Sequence, residues 1–349
     1  MSREAVLQVR DLAIGYTRPR RPNLVIADGL NLTLRRGELV CLLGPNGVGK
    51  STLLRTLAGM QPLLAGHVVL AGDDLHRISK SEVARRLSVV LTERPNVGLL
   101  TGYEVVALGR HPHTDWSGRL NAYDWAMVRW AVEAVGAGDI AEQPIPELSD
   151  GQRQKIMIAR ALAQDPTLML LDEPTAFLDL PRRVEIMRLL KQLAHETGRA
   201  VLVSTHELDL ALRTADTLWL LADGHLQTGT PEDLVLSDAI ESTFHSEGVR
   251  FDKANGAFQV MGQVSRKVTL EGEGIPYIWT QRALERAGFS IALNGAKSPI
   301  CITVTDPETG AVWQLATPER TTTHADIGGL LAALDALTHH DSRLAIISR

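Results

Sequence analysis

Residues 44–52 read GPNGVGKST and decide the fold of the chain, because they match the phosphate-loop pattern G-x-x-x-x-G-K-[ST]. Glycines at these positions let the backbone wrap closely around a phosphate, with its N–H groups pointing inward. Lys50 can bring its positive charge to the β- and γ-phosphates, and Ser51 can offer its hydroxyl to Mg²⁺. The predicted phosphate-binding residues are Gly44, Pro45, Asn46, Gly47, Val48, Gly49, Lys50, Ser51 and Thr52.

The segments on either side of this loop predict an α/β unit. Residues 39–43 (LVCLL) form a continuous apolar run, which is typical of a parallel strand buried on both faces. A helix is predicted over 51–58, directly after the loop, so strand, glycine turn and helix follow in order. Further strands and helices are predicted along the chain. The strands lie at 87–91, 167–171 and 200–204, and a hairpin pairs 218–222 with 225–227. The helices lie at 102–108, 122–135, 152–163 and 182–197.

Two carboxylates end the apolar run at 168–171. Asp172 is expected at the carboxyl edge of this strand, beside the phosphate loop, where it can hold Mg²⁺ through water. Glu173 is then placed to orient and polarise the attacking water. The alternative is that either carboxylate caps the loop that begins at Pro174.

Length and composition limit the class of protein. The chain has 349 residues, 44% of them hydrophobic, which predicts a globular protein of two domains. The net charge of −5 argues against general nucleic-acid binding. The only cysteines, Cys41 and Cys301, cannot form a disulfide framework, and Cys41 is predicted to be a buried free thiol. Because no apolar stretch approaches 18 residues, we expect a soluble chain that reaches a membrane only through another subunit.

Four further motifs carry a family resemblance. Residues 148–152 (LSDGQ) resemble the signature sequence of ATP-binding-cassette (ABC) ATPases, and residues 175–179 (TAFLD) resemble the D-loop of that family. His206 is similar to the family's switch histidine, and Tyr16 to the aromatic residue that stacks on adenine. The resemblance covers about residues 5–245, with the motifs in the family's order and spacing.

The resemblance implies a mechanism that needs two copies of the cassette. Two ATP molecules lie between the copies, each touching the phosphate loop of one chain and the signature sequence of the other. Ser149, Gly151 and Gln152 are therefore expected to face the partner's γ-phosphate. Asp179 of the D-loop joins the ATP-binding residues, and His206 stabilises the γ-phosphate.

Two positions depart from the family's pattern. Asp150 replaces the first glycine of the signature, which places a carboxylate near a triphosphate unless the side chain points away. We expect this change to tune activity rather than abolish it. Thr92 and Glu93 follow the strand at 87–91, where the family has a glutamine. Glu93 is expected to take the place of that glutamine, as a catalytic residue near the γ-phosphate and as a Mg²⁺ ligand.

A weaker resemblance concerns the cargo. Residues 109–114 (GRHPHT), followed by Trp116 and by 118–120, resemble cassettes that import iron–siderophores, haem or cobalamin. They lie in the helical subdomain, expected at about 93–165, which should contact the membrane subunit. The alternative is an ordinary surface loop between two helices.

Together, the motifs and the resemblance predict an ATPase subunit that energises an importer of iron–siderophore, haem or cobalamin. Its cofactors are ATP and Mg²⁺. The expected partners are a second cassette, two integral-membrane permease subunits and, indirectly, a periplasmic or lipoprotein substrate-binding protein, with no nucleic acid. The chain is expected as a peripheral protein on the cytoplasmic face of the inner membrane. The alternative is a soluble ABC-type ATPase or a nucleotide-sensing module that is not coupled to transport.

The predicted fold is an ABC cassette of the P-loop NTPase class, with a mixed-sheet core and a helical subdomain, followed by a small α+β domain. The expected boundaries are 1–261 for the cassette and 262–349 for the accessory domain. The accessory domain reads as βαβββα, with strands at 264–270, 290–293, 300–305 and 311–316, helices at 277–287 and 326–337, and a turn at 306–310. Trp279 and Trp313 are predicted core residues. The domain is expected to regulate the cassette or stabilise the dimer; the alternative is an extension of the fold that binds no ligand.

Overall fold

The computed structural model describes residues 3–93, 97–246, 248–260, 266–292, 298–305 and 310–347. The chain divides into two compact units, Met1–Phe244 with Lys253–Ala257, and His245–Asp252 with Phe258–Arg349. The predicted domain boundary between 261 and 262 falls outside the described residues. Parts of three predicted elements of the accessory domain fall outside them as well: residues 264–265 of the first strand, residue 293 of the second strand and residues 306–309 of the turn. The predicted domain boundary therefore stays a prediction.

The first unit contains ten strands, nine α-helices and three short 3-10 helices (Leu108–His113, Gly138–Ile140 and Ile145–Glu147) in the part of the chain that the structure describes. The strands are β1 Ala5–Tyr16, β2 Leu24–Arg35, β3 Leu39–Leu43, β4 Ala65–Leu70, β5 Asp73–Asp74, β6 Leu87–Val90, β7 Leu168–Asp172, β8 Ala200–Ser204, β9 Thr217–Ala222 and β10 His225–Gly229. The helices are α1 Lys50–Leu57, α2 Lys80–Arg86, α3 Gly102–Ala107, α4 Ala122–Ala134, α5 Asp150–Ala163, α6 Leu180–Thr197, α7 Leu208–Thr214, α8 Pro231–Leu236 and α9 Ala239–Thr243.

A six-stranded mixed sheet forms the centre of this unit, in the order β10-β9-β3-β8-β7-β6. Five neighbouring strands run parallel, and β10 joins β9 as an antiparallel hairpin. Every residue of β3, β7 and β8 is buried, as expected of parallel strands covered on both faces. The fully buried Cys41 lies on β3, which confirms that prediction, and burial raises the pKa of its thiol to about 12. The carboxyl ends of β3, β7 and β8 meet at one edge of the sheet.

A second, antiparallel sheet packs on the first with the strand order β2-β1-β4-β5. One hydrophobic core joins the two sheets, with Leu12 and Leu34 from this sheet and Leu42 and Leu202 from the central one. The last residue of β1 is Tyr16, which pairs with Leu24 at the start of β2. This sheet therefore sets the position of Tyr16.

The GRHPHT stretch packs against the end of α5. Gly109 lies so close that a Cβ there would come within 2.2 Å of the Arg160 carbonyl oxygen. Arg110 is buried and donates through Nη1 to the Ala163 carbonyl (2.8 Å) and through Nε to Asp124 Oδ1 (2.9 Å). His113 Nε2 lies 2.8 Å from the carbonyl of the next residue, Gln164. A helix ends with unpaired carbonyls and partial negative charge, so these side chains stabilise the carboxyl end of α5.

The second unit is built on a five-stranded sheet. The strand order is β14-β13-β15-β16-β17, in which β13 runs parallel to both neighbours and the other pairs are antiparallel. A short pair of strands precedes it. The elements from this pair onward are β11 Val249–Asp252, β12 Ala257–Val260, β13 Arg266–Glu271, α10 Gly274–Arg286, β14 Phe289–Ile291, β15 Cys301–Thr305, β16 Val312–Ala316, β17 Thr321–His324 and α11 Ile327–Ile347.

The accessory fold differs from its prediction in two respects. The pattern βαβββα lacks β17, because the sequence TTTH has no apolar residue to mark a buried face and the strand lies at the sheet edge. Trp313 is a core residue, as predicted, and its indole donates to Thr280 Oγ1 (2.6 Å). Trp279 is not: it lies on the outer face of α10, 55% exposed, with the Arg282 guanidinium over its ring.

The ion pair between Arg110 and Asp124 provides a test of the packing around α5. Both side chains are almost fully buried. Replacing Asp124→Asn leaves the guanidinium buried without its counter-charge, so the free energy of unfolding is expected to fall by about 3 kcal/mol. Urea denaturation followed by tryptophan fluorescence measures this change.

The control is Asp209→Asn, which removes an exposed ion pair with Arg213 on α7. Its effect should stay below about 1 kcal/mol, since water screens exposed pairs. Equal denaturation midpoints for the two variants would contradict the structural role assigned to Arg110.

Candidate active site

The phosphate loop connects β3 to α1, and two of its glycines leave no room for a Cβ atom. Gly49 has φ +112°, and a Cβ there would lie 2.4 Å from the Ile26 side chain. A Cβ on Gly44 would come within 2.2 Å of the Leu221 carbonyl oxygen. Helix α1 begins directly after the loop at Lys50, so its N-terminal N–H groups face the loop. The loop therefore has the backbone that phosphate binding requires.

Lys50 is the buried cation of the site. Its side chain is 6% exposed, and Nζ donates to the carbonyls of Gly44 (2.9 Å) and Pro45 (3.1 Å). Burial lowers the pKa of Lys50, while the negative charges of Glu173 and Asp172 act in the opposite direction. Both carboxylates therefore interact electrostatically with the ammonium group.

Asp172 and Glu173 follow β7 at the carboxyl edge of the central sheet. Asp172 is buried, and the Ser204 hydroxyl donates to its Oδ1 (2.5 Å). The Glu173 N–H lies 3.0 Å from Ser204 Oγ and 3.2 Å from the Ser204 carbonyl oxygen. Thr92 Oγ1 donates to the Asp172 carbonyl (2.9 Å). One serine thus holds both acidic residues.

Ser204 is a site residue that sequence reasoning missed. It is the last residue of β8 and pairs in register with Asp172, the last residue of β7. The available signal was its position at the end of an apolar run, two residues before His206. Its contact with the carboxylates depends on which strands are neighbours, and only the sheet order shows that.

Glu173 and His206 face each other across the site. Glu173 Oε1 and His206 Nε2 are 2.5 Å apart, and both side chains are partly exposed. The backbone of Glu173 is left-handed, with φ +50°, which is strained for a residue with a side chain. The pair leaves a carboxylate and an imidazole at the solvent edge, where they can orient a water molecule and exchange protons.

Tyr16 reaches the same region from the second sheet. Its side chain is 46% exposed, and its hydroxyl lies 3.2 Å from Thr52 Oγ1, in the first turn of α1. The structure thus places the ring beside the phosphate-loop helix. A stacking role on adenine stays a prediction.

The signature residues form a helix cap in this chain. Ser149 caps α5: its Oγ accepts from the Gln152 N–H (3.4 Å), and its own N–H donates to Gln152 Oε1 (2.9 Å). The Asp150 carboxylate is partly exposed and lies 3.7 Å from Arg153 Nη1. A Cβ on Gly151 would lie 3.3 Å from the Arg182 side chain. The role of this turn toward a partner's nucleotide stays a prediction.

Asp179 and Glu93 complete the set of predicted site residues. Asp179 caps α6, accepting from the Arg182 N–H (3.1 Å). Glu93 is exposed and lines a pocket of about 40 Å³ together with Asp150, Glu173 and other residues. The structure thus brings Glu93 to the same pocket as Glu173, and its catalytic and metal-binding roles stay predictions.

The fold and this site define a phosphate-loop nucleoside triphosphatase. The family model of ABC transporters matches residues 27–176, and that of the iron ABC transporter C-terminal domain matches residues 265–335. The second match covers most of the accessory domain that the sequence left unexplained.

Relatives with similar sequences are also ATP-binding proteins of ABC transporters. An uncharacterized ABC transporter ATP-binding protein of Methanocaldococcus jannaschii is 41% identical over 73% of this chain and 87% of its own. The iron(3+)-hydroxamate import ATP-binding protein of Bacillus subtilis is 38% identical, over 68% of this chain and 87% of its own. The cobalamin import ATP-binding protein of Halobacterium salinarum is 36% identical, over 81% and 72%.

Solved structures give the same fold. An ATP-binding cassette solved as a dimer in a post-hydrolysis state, with ADP and phosphate, has a TM-score of 0.55 and 27% identity, covering 64% of this chain and 98% of that one. The cbiO1 protein of Clostridium perfringens, part of an ABC transporter complex, has a TM-score of 0.59 and 25% identity, over 68% and 94%. The chain belongs to the ATP-binding proteins of ABC transporters, and it is an ATPase of that class.

Ser204→Ala tests how the two acidic residues are held. The change removes the hydrogen bond to Asp172 and one of the two that Glu173 N–H makes, without adding volume. Loss of such a supporting contact typically costs activity 10- to 100-fold, so we expect a fall in the steady-state ATPase rate of about 10-fold.

The matched control is Ser88→Ala on the neighbouring strand β6. Ser88 is also buried, but its hydroxyl finds no hydrogen-bond partner among the described residues. This variant should keep the wild-type rate. If both variants lose activity equally, the effect belongs to the sheet interior and not to the contact with Asp172.

Proposed function

We propose that this chain binds and hydrolyses ATP to energise an importer of iron–siderophore, haem or cobalamin across the inner membrane. The observation that carries the hydrolytic part is the placement of Asp172 and Glu173 beside buried Lys50, with His206 in contact with Glu173. The cargo class is supported by the names of the relatives, which include iron(3+)-hydroxamate and cobalamin import proteins, and by the iron-transporter C-terminal domain.

The roles of the side chains follow from their chemistry. Lys50 and the loop N–H groups neutralise the β- and γ-phosphates, where charge builds up during phosphoryl transfer. Glu173 orients the attacking water, and its contact with His206 keeps the carboxylate at the solvent edge of the site. His206 then stabilises the γ-phosphate. Tyr16 stacks on the adenine, supported by its exposed ring beside α1.

The donor atoms in the site suit Mg²⁺. Ser51 and Asp172 offer a hydroxyl and a carboxylate, and Mg²⁺ prefers such oxygen ligands and keeps several waters. The hydrogen bond from Ser204 orients the Asp172 carboxylate for this task. Glu93, which lines the pocket shared with Glu173, is a further candidate ligand. When bound, the ion would neutralise charge on the β- and γ-phosphates.

The working unit is a homodimer of cassettes. The related cassette that was solved as a dimer with ADP and phosphate supports this arrangement. Ser149, Gly151 and Gln152 then face the partner's nucleotide at the N-terminus of α5, and Asp179 lies at the same interface. The Asp150 carboxylate is turned toward Arg153, which reduces its repulsion of a triphosphate.

The membrane partners are two integral-membrane permease subunits, which a periplasmic or lipoprotein substrate-binding protein supplies with cargo. No helix among the described residues is long and apolar enough to cross a membrane. The segment from the end of α3 into the first turn of α4 exposes several large apolar side chains, which suits a contact with the permease at the cytoplasmic face. These residues are Leu108, Trp116, Tyr123 and Trp125.

Glu173→Gln tests the hydrolytic mechanism. The amide keeps the size of the side chain but cannot polarise water as a carboxylate does. We expect the ATPase rate to fall at least about 100-fold, within the range for loss of a general base, while ATP binding persists. Gel filtration with Mg²⁺ and ATP should then show a stable dimer.

A matched control is Glu232→Gln, which changes an exposed glutamate at the start of α8. It should hydrolyse ATP at the wild-type rate. Brisk hydrolysis by the Glu173 variant would refute the assignment. Absence of ATPase activity in the unmodified protein would instead favour a nucleotide-sensing module.

Deletion of residues 262–349 tests the accessory domain. We propose that this domain regulates the cassette or stabilises the dimer, supported by its own folded core around Val268, Trp313 and Leu330. The truncated protein should therefore show an altered transport-coupled ATPase rate or a weaker ATP-dependent dimer. An unchanged rate with unchanged dimerisation would make the domain a passive extension.

A further inference from the structure

We propose that Arg183 and Glu207 are positioning residues that hold Glu173 and His206 in contact. Neither residue belongs to the predicted site. The proposal rests on the proposed function, because it assumes that Glu173 and His206 act in ATP hydrolysis.

On one side, Arg183 holds the turn that follows Glu173. The Ala176 N–H donates to the Glu173 carbonyl (3.0 Å), and the Leu178 N–H to the Thr175 carbonyl (3.3 Å), so residues 173–178 form consecutive tight turns. The Leu178 side chain is buried, and its carbonyl accepts from Arg183 Nε (2.7 Å). The guanidinium thus anchors the far end of the segment that starts at Glu173.

On the other side, the same guanidinium reaches the segment that carries His206. Arg183 Nη1 forms an ion pair with Glu207, the residue next to His206. The Glu207 N–H donates to Thr205 Oγ1 (3.1 Å), and the Thr205 N–H donates to the Leu42 carbonyl (3.1 Å) on β3. The segment around His206 is therefore tied both to the central sheet and to Arg183.

These contacts close a ring. It runs from Glu173 through the turns to Leu178, across Arg183 to Glu207, and back through His206 to Glu173. The ring includes a strained residue, because Glu173 has φ +50°. A strained backbone at a functional site persists only where its surroundings hold it, and the ring supplies part of that constraint.

The chemistry of the bridge requires arginine. One planar guanidinium donates to the Leu178 carbonyl through Nε and to the Glu207 carboxylate through Nη1. The compact ammonium of lysine lacks this fork geometry, so it can keep the charge pair but not both contacts in place. Both side chains of the pair are about one-third exposed, which lets the contacts break without unfolding the unit.

The test measures ATP hydrolysis by the full-length chain with Mg²⁺ and ATP. Arg183→Gln and Glu207→Gln should each lower kcat by about 10-fold, with KM for ATP within about twofold, because small displacements of reacting groups cost rate more than binding. The double variant should lose no more than the poorer single variant, since both changes break one bridge. Arg183→Lys should recover part of the rate through the charge pair.

The matched control is Arg213→Gln, which removes the exposed ion pair with Asp209 on α7, the helix that follows the same segment. It should keep the wild-type kcat. The midpoint of thermal unfolding of each variant shows whether the loss of kcat follows from loss of folded protein.

Several results would overturn the proposal. A wild-type kcat in both Arg183→Gln and Glu207→Gln would overturn it. So would a double variant whose loss of kcat equals the sum of the two single losses, expressed as free energies. A loss of kcat that is fully explained by a smaller fraction of folded protein would also overturn it. If these variants are fully active while Glu173→Gln is not, the proposed function stands and only the positioning role fails. If the unmodified chain does not hydrolyse ATP, both fail together.

Discussion

The parallel pairing of β7 with β8 places Asp172 opposite Ser204, and the rest of the site depends on this register. A slip of one residue would turn Ser204 to the other face of the sheet and remove its hydroxyl from both acidic residues. The register is strongly specified, because both strands are buried along their whole length. The same carboxyl edge receives the phosphate loop from β3, so one set of strand ends assembles the cation and the two carboxylates.

Burial then sets the electrostatic balance of the site. Lys50 and Asp172 are both nearly inaccessible to water, and the negative charges of Glu173 and Asp172 favour the charged form of the Lys50 ammonium group, which burial disfavours. Glu173 and His206 lie farther out, where water can reach them. The site therefore runs from a buried lysine and carboxylate to a partly exposed carboxylate–imidazole contact at the solvent edge. The proposed ring through Arg183 and Glu207 includes the outer of these two parts, the contact between Glu173 and His206.

Much of the fold followed from the pattern of apolar residues. The strand at 39–43 and the helix at 122–134 were predicted within a residue, because continuous apolar runs and helical periodicity reflect burial directly. The strand Thr321–His324 carries no such pattern, and Trp279 lies on the exposed face of its helix despite its apolar ring. The type of a residue tells how apolar its side chain is, whereas the direction in which that side chain points depends on neighbours distant in sequence.

The sequence by itself determined the chemistry of this protein: a phosphate loop, an acidic pair after a buried strand, and a histidine after the next, each recognisable because few residue types can do the task. Only the tertiary structure decided which groups support them. Ser204 meets Asp172 across 32 positions, and Arg183 reaches Glu207 across 24. The tertiary structure also shows that Arg110 of the GRHPHT stretch donates a hydrogen bond to the carboxyl end of α5. Such contacts depend on sheet order and helix packing, and short motifs do not record these long-range neighbours.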